Sequence, residues 1–69
     1  MKNARSITTR EKEILSLIAF EHTVKEIASE LYIGIDTVKS HSKNIKLKLG
    51  VKSKAGMIRV ACTQQLIDV

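Results

Sequence analysis

The segment Gly34-Ile35-Asp36-Thr37-Val38-Lys39-Ser40-His41-Ser42-Lys43-Asn44-Ile45-Lys46-Leu47-Lys48-Leu49-Gly50 is the longest amphipathic segment of this chain. With about 100° of rotation per residue, it predicts one long helix with two different faces. One narrow sector holds the residues that we expect to face a core: Val38, His41, Ile45 and Leu49. The opposite side holds Lys39, Ser40, Lys43 and Leu47, with Asp36 and Lys46 at its edges. This side is either an ordinary solvated surface or a face that enters a nucleic-acid groove.

The net charge of +5 is concentrated on this helix and on the turn after it. Residues 35–54 contain six lysines and a single acidic residue, Asp36. In the segments before and after this one, acidic and basic residues are equal in number. A local excess of positive charge of this kind favours a polyanionic partner.

A chain of 69 residues makes one small domain, which buries only about 60% of its unfolded surface. Cys62 is the only cysteine, so no disulfide can stabilise it. We expect Cys62 to be a small buried thiol in a reducing compartment. His22 and His41 have no cysteine partners at ligand spacing, so we predict no metal site and no cofactor.

Other classes of protein are disfavoured. The sequence shows no carboxylate pair in a plausible pocket, no Cys-His or Ser-His-Asp arrangement and no glycine-rich phosphate loop, so we do not expect an enzyme. No apolar run approaches the roughly 20 residues of a membrane span, and residues 1–6 lack the apolar core of a signal peptide. We expect a cytoplasmic protein without membrane contact.

Two capping boxes, in which a Thr is followed three residues later by a Glu, predict the two preceding helices. Thr8 with Glu11 starts a first helix over about residues 9–20, and residues 1–6 form a flexible lead-in. Thr23 with Glu26 starts a second helix over about residues 24–31. The predicted core residues are Ile14, Leu17 and Ile18, with Leu15 beside them, in the first helix, and Val24, Ile27, Ala28 and Leu31 in the second.

The second helix and the long helix are separated by three residues, 32–34, with Gly34 as the N-cap. A small residue at Ala28 allows a close crossing of helices, and the spacing of Ala28, Ile33 and Val38 is typical of a helix-turn-helix. In that motif the second helix enters the major groove of DNA.

A fourth helix completes an all-α fold of four helices. Gly50 ends the long helix, and Ser53 is a suitable N-cap for a helix over about residues 54–64. This last helix is apolar on two sides, so it either packs deeply or leaves one side for a partner. One side consists of Met57, Val60 and Ala61, and the other of Ala55, Ile58 and Cys62.

Four sequence blocks, in this order, resemble the LuxR/FixJ (GerE-type) helix-turn-helix domain of bacterial transcription regulators. They are Ile7-Thr8-Thr9-Arg10-Glu11-Lys12-Glu13-Ile14-Leu15, Lys25-Glu26-Ile27-Ala28, Thr37-Val38-Lys39-Ser40-His41, and Ile45 with Lys48-Leu49-Gly50-Val51. The resemblance runs from about Ile7 to Ile67 and places a DNA-binding domain at residues 7–69. It implies sequence-specific binding to double-stranded DNA, commonly as a dimer, at the end of a larger regulator. An upstream receiver or sensor domain of such a regulator is absent from these 69 residues.

The resemblance also implies roles for individual residues. The residues that correspond to base-contacting positions are Lys39, Ser40 and Lys43. The residues placed for phosphate contacts are Thr23, Thr37, Lys46, Ser53 and Lys54. The fourth helix resembles the dimerising helix of the family, so its side formed by Ala55, Ile58 and Cys62 is a candidate dimer interface.

The chain departs from the family pattern at several positions. Glu21 stands where the family usually has Gly, and Gly34 stands where it usually has Ser. Ser42 replaces a frequent basic or bulky residue, and Gln65 stands where a Gly often closes the fourth helix. Glu21 and Gly34 leave room for a second hypothesis, in which the same fold is a protein-interaction module for RNA polymerase or another regulator. His41 is expected to make a structural hydrogen bond, and Leu47 points either to a thymine methyl group or to a partner.

Overall fold

A computed structural model describes residues 7–67 of the chain. In this range the backbone forms four helices: α1 (Thr9–Ala19), α2 (Val24–Leu31), α3 (Ile35–Leu49) and α4 (Lys54–Thr63). No strand occurs within residues 7–67, so the predicted all-α class is confirmed. The predicted lead-in at residues 1–6 lies outside the described residues, as do residues 68–69.

Both predicted capping boxes are present. In the first, the amide of Glu11 donates to the Thr8 hydroxyl at 3.1 Å, and the amide of Thr8 donates to the Glu11 carboxylate at 3.0 Å. In the second, the corresponding distances between Thr23 and Glu26 are 3.1 and 2.7 Å. Each box gives partners to two backbone N–H groups that would otherwise lack them, which fixes where α1 and α2 begin.

The turn between α2 and α3 has the predicted length of three residues. Tyr32 ends α2 in the left-handed conformation, with φ of 59°, and the amide of Ile33 donates to the Ala28 carbonyl at 3.0 Å. This hydrogen bond closes the end of the helix in the manner of a Schellman motif. Gly34 is the N-cap of α3 as predicted, but no side chain caps the helix there.

The core lies where α3 packs against each of the other three helices. Every helix contributes to it, and the largest fully buried side chains are Ile14, Leu15, Ile27, Val38, Ile45 and Met57. The ranking within α1 differs from the prediction: Leu17, expected on the core stripe, is partly buried and packs against the core, whereas Leu15, expected beside the stripe, is fully buried. The reason is the direction from which the other helices cross α1, which the periodicity of α1 alone does not determine.

α4 follows a turn at Gly50, which has a φ of 71°. Ser53 caps α4 as predicted, and its hydroxyl accepts the amide of Gly56 at 3.1 Å. Met57 and Ala61 are buried against the core. The expectation of a buried thiol was wrong, because Cys62 is exposed. It lies next to Ala61 on the helix but faces away from the core.

Two of the departures from the family pattern occur where the backbone is left-handed. Glu21 has a φ of 66° in the turn between α1 and α2, and Gln65 has a φ of 59° after α4. Glycine adopts this conformation without steric cost, and other residues adopt it with strain. Both side chains therefore occupy positions that glycine would fit better.

Candidate nucleic-acid interface

The long helix α3 has one buried and one exposed face. Val38, Ile45 and Leu49 are buried in the core, as predicted. On the opposite side, every residue of one continuous strip is exposed, and the strip consists of Asp36, Lys39, Ser40, Lys43 and Leu47. We call this strip the outward face of α3. It is convex and mostly polar, so it suits a groove rather than a small molecule. No pocket is found in the described part of the chain.

Three predicted base-contacting residues lie on the outward face. Lys39, Ser40 and Lys43 are all exposed and lie within little more than one turn of α3. None of the three forms an ion pair or a side-chain hydrogen bond within residues 7–67. Their donors are therefore available to a ligand, although the roles assigned to them remain predictions.

The predicted phosphate-contacting residues are spread over three helix starts and one helix end. Thr23 and Ser53 are exposed N-caps of α2 and α4 whose hydroxyl oxygens accept backbone N–H groups. A hydroxyl that accepts such a bond can still donate its own hydrogen to a phosphate oxygen. Thr37 is exposed in the first turn of α3, Lys54 is exposed at the start of α4, and Lys46 is half-buried near the end of α3.

The lysine Lys48 differs from its neighbours on α3. Its Nζ atom donates to both carboxylate oxygens of Glu11, at 2.8 and 3.0 Å. Of the six lysines in residues 35–54, this one is turned towards α1 and away from the outward face. This ion pair was not predicted from the sequence.

The sequence nevertheless contains a signal for this ion pair. Glu11 precedes Ile14, Leu15 and Ile18 at helical spacing, so a carboxylate falls on the core side of α1. A buried charge is costly unless it is paired, which implies a cation from another helix. The identity of that cation depends on how α1 and α3 cross.

The surroundings of Glu11 act on its pKa in opposite directions. Burial raises the pKa, whereas the hydrogen bonds from Lys48 and from the Thr8 amide lower it, helped by the positive charge of Lys48. The net effect is a pKa below the ordinary value of 4.5. Glu11 is therefore ionised at neutral pH and holds Lys48 in place.

His41 differs from expectation in one respect. His41 is half-buried and lies near Glu11, but its ring forms no hydrogen bond within residues 7–67, so the predicted structural hydrogen bond is not present there. The Nδ1 atom of His22 is buried and also lacks a hydrogen-bond partner among the described residues. No cluster of His, Cys, Asp and Glu that could hold a metal ion occurs in residues 7–67.

The candidate dimer interface on α4 is accessible. Ala55 and Cys62 are exposed and Ile58 is half-buried. Ala55 and Cys62 lie beside the buried side of α4, and Ile58, between them and Ala61, also packs against the core. Within the described range, no helix is long and apolar enough to cross a membrane.

A short α2, a three-residue turn and a longer α3 with an exposed cationic face define a helix-turn-helix domain of the DNA-binding type. A model of the family described as bacterial regulatory proteins, luxR family, matches residues 5–61. The chain belongs to this family.

Individual proteins similar to the chain are regulators. The oxygen regulatory protein NreC of Staphylococcus aureus (strain JH9) is 40% identical over 62 residues. This match covers 90% of the chain and 29% of NreC, so the chain spans less than a third of that relative's length.

Two solved structures have the same fold. The response regulator ChrA of a heme-sensing two-component system matches with a TM-score of 0.86 and 35% identity, over 90% of this chain and 31% of ChrA. The transcription factor GerE matches with a TM-score of 0.85 and 31% identity, over 88% of this chain and 91% of GerE. Together the family and these relatives support transcriptional DNA binding as the general function of the chain.

Proposed function

We propose that residues 7–69 are the sequence-specific, double-stranded DNA-binding output domain of a bacterial transcription regulator. The observation that carries the proposal is the arrangement of α3, which packs one face into the core and exposes lysines on the other. α3 has 15 residues and is thus about 22 Å long. The major groove of B-DNA is about 12 Å wide and accepts one helix.

In the proposed complex with DNA, α3 lies in the major groove, and Lys39, Ser40 and Lys43 contact base edges. Lysine donates well to the O6 and N7 acceptors of guanine, and serine pairs with several bases. Lys39 and Lys43 are separated by four residues, or about 6 Å along the helix axis, so they reach bases that are about two base pairs apart. Ser40 lies between them and is small enough to allow close approach of the helix.

Phosphate contacts fix the register of the helix in the groove. They come from hydroxyls at helix starts, where backbone N–H groups and the helix dipole favour an anion, and from lysines beside them. The residues assigned to this role are Thr23, Thr37, Lys46, Ser53 and Lys54. Their contacts are independent of sequence and make binding sensitive to salt.

The chain acts as a homodimer on paired half-sites, through Ala55, Ile58 and Cys62 of α4. The exposure of Ala55 and Cys62 on α4 supports this arrangement. The relatives NreC and ChrA are more than three times as long as the segment that matches. We therefore place the domain in a larger regulator of the bacterial cytoplasm, with a receiver or sensor domain upstream and no enzymatic activity of its own.

Selection of bound sequences from a random duplex pool tests the class, the base preference and the half-site spacing together. We expect enrichment of one motif and an affinity for it that falls steeply with salt concentration. Lys43→Ala should weaken binding to that motif by about 1–3 kcal/mol and remove the preference at one position.

The matched control is Lys12→Ala, which removes an exposed lysine of α1. This variant should bind the motif with the preference of the wild-type domain. A Lys43→Ala variant that selects the same motif as the wild type would contradict the role given to Lys43.

A second candidate function is a protein-interaction module for RNA polymerase or another regulator. The exposed aromatic side chains at the helix ends favour it: Phe20 is 60% exposed and Tyr32 is 94% exposed. Partner binding that is insensitive to salt, together with no DNA shift at low salt, would support this function against the first.

A further inference from the structure

Leu47 is a large apolar residue on the cationic side of α3. Its side chain is 70% exposed, although Ile45 and Leu49 on either side of it are buried. Isolated exposed leucines are common on protein surfaces and need no explanation by themselves. The position of Leu47 within the outward face is what distinguishes it.

Leu47 continues the line of the proposed base-reading residues. At 3.6 residues per turn it lies within about 20° of Ser40 and about 40° of Lys43 around the helix axis. Lys43 precedes it by one turn, so the two side chains are neighbours on the helix surface. Leu47 therefore faces whatever surface Ser40 and Lys43 face.

The charges around Leu47 indicate which occupant covers it. Lys43 and Lys46 flank it, and no acidic residue of α3 lies nearer than Asp36, three turns away. The same face of a second copy would bring these lysines against each other, which disfavours a symmetric contact. A surface that is anionic overall and presents apolar groups in a groove is complementary to both the lysines and the leucine.

We infer that Leu47 is a specificity-determining residue that packs against the methyl group of a thymine in the major groove. Thymine is the only one of the four bases that presents a methyl group there, and apolar side chains read it by contact. This inference rests on the proposed function and adds a base preference to it. Leu47 favours a thymine over the other three bases, while Lys43 favours a guanine.

The rise of the helix predicts where this thymine lies. Four residues separate Lys43 from Leu47, which is about 6 Å along the helix axis. The spacing of base pairs is about 3.4 Å. With α3 lying along the groove, the thymine is about two base pairs from the guanine contacted by Lys43.

Replacement of each thymine of the selected motif by deoxyuridine, one at a time, tests the inference, because this change removes only the methyl group. Affinities are measured by fluorescence anisotropy with the wild-type domain and with Leu47→Ala. Loss of one buried methyl contact should weaken wild-type binding about fourfold at one thymine. The Leu47→Ala variant should bind the unmodified duplex about fourfold more weakly and should be insensitive to deoxyuridine at that position.

Phe20→Ala is the matched control, since it also removes an exposed apolar side chain, but from the residue that follows α1. Phe20→Ala should respond to deoxyuridine at each position as the wild type does. Lys43→Ala should still lose affinity when deoxyuridine replaces the thymine that lies two base pairs from the guanine. A Leu47→Ala variant that responds to every deoxyuridine as the wild type does would overturn the inference and leave the proposed function intact. Failure of the wild-type domain to select any motif would overturn both.

Discussion

The Nζ atom of Lys48 lies 2.8 Å from one carboxylate oxygen of Glu11 and 3.0 Å from the other, which joins the last turn of α3 to the first turn of α1. The same carboxylate also accepts the amide of Thr8 as part of the capping box. One side chain therefore stabilises the start of one helix and fixes the position of another. Because α3 carries the proposed base-reading residues, this contact also sets the orientation of the candidate interface relative to the rest of the domain.

Removal of the Glu11 carboxylate should destabilise the domain. Glu11→Ala removes both a capping interaction and the partner of Lys48, and we expect a loss of about 2 kcal/mol in the free energy of unfolding. Urea denaturation, monitored by circular dichroism, measures this loss. The matched control is Glu26→Ala, since Glu26 forms the same capping box on α2 without an ion pair among the described residues. Glu26→Ala should lower the free energy of unfolding by about 0.5 kcal/mol. Equal losses in the two variants would show that the ion pair adds nothing to stability.

The same ion pair makes stability depend on pH in the acidic range. Burial raises the pKa of Glu11, but the interactions with Lys48 and Thr8 lower it further than burial raises it, so the folded state favours the ionised carboxylate. The resulting stabilisation is fully present above the ordinary pKa of 4.5 and is lost as the pH falls through the lower pKa of the folded state. Glu11→Gln mimics the protonated carboxyl group. The difference in unfolding free energy between wild type and Glu11→Gln should shrink as the pH falls from 7 to 3, and a constant difference would contradict this account.

A serine at position 34 should supply the cap that α3 lacks. Gly34 has a φ of −75° and a ψ of 156°, which any residue can adopt, and an added Cβ would meet only the hydroxyl oxygen of Thr37 at 3.7 Å. Gly34→Ser should raise the free energy of unfolding by about 0.5–1 kcal/mol, through the cap and through reduced freedom of the unfolded chain. Gly34→Ala adds the Cβ without the hydroxyl. If the alanine variant is stabilised as much as the serine variant, capping is not the cause.

The lysines of α3 should differ in their effect on DNA binding. Lys46 is proposed to contact a phosphate, so Lys46→Ala should reduce the slope of log affinity against log salt by about one. Lys48 is held by Glu11, so Lys48→Ala should lower the stability of the domain and leave that slope unchanged. Binding measured by anisotropy at several salt concentrations distinguishes the two. A reduced slope in Lys48→Ala would show that this lysine also reaches the DNA.

The ends of the helices could be predicted from the sequence because the signals for them are local. Thr8 with Glu11, Thr23 with Glu26, and the Gly50–Ser53 connection act over three or four residues, and the structure places each of them as predicted. The inner face of α3 was predicted for the same reason, from its periodicity.

Other features depend on how the helices cross and could not be predicted in this way. The pairing of Glu11 with Lys48 joins residues 37 positions apart. The exposure of Cys62 and the partial exposure of Leu17 likewise follow from which side of each helix its neighbours cover. The identities of the proposed DNA contacts came from the family resemblance, and exposure of the residues is consistent with them without testing them.

The left-handed backbone at Glu21, Tyr32 and Gln65 has a consequence for how readily this domain can change its target sequence. Most substitutions in a protein cost some stability, and a small domain tolerates little such loss. Glycine at Glu21 or Gln65 would relieve strain at a surface turn and so compensate for that loss. Glycine at these two positions, which lie outside α3, would thus widen the range of substitutions that α3 can accept while the domain still folds.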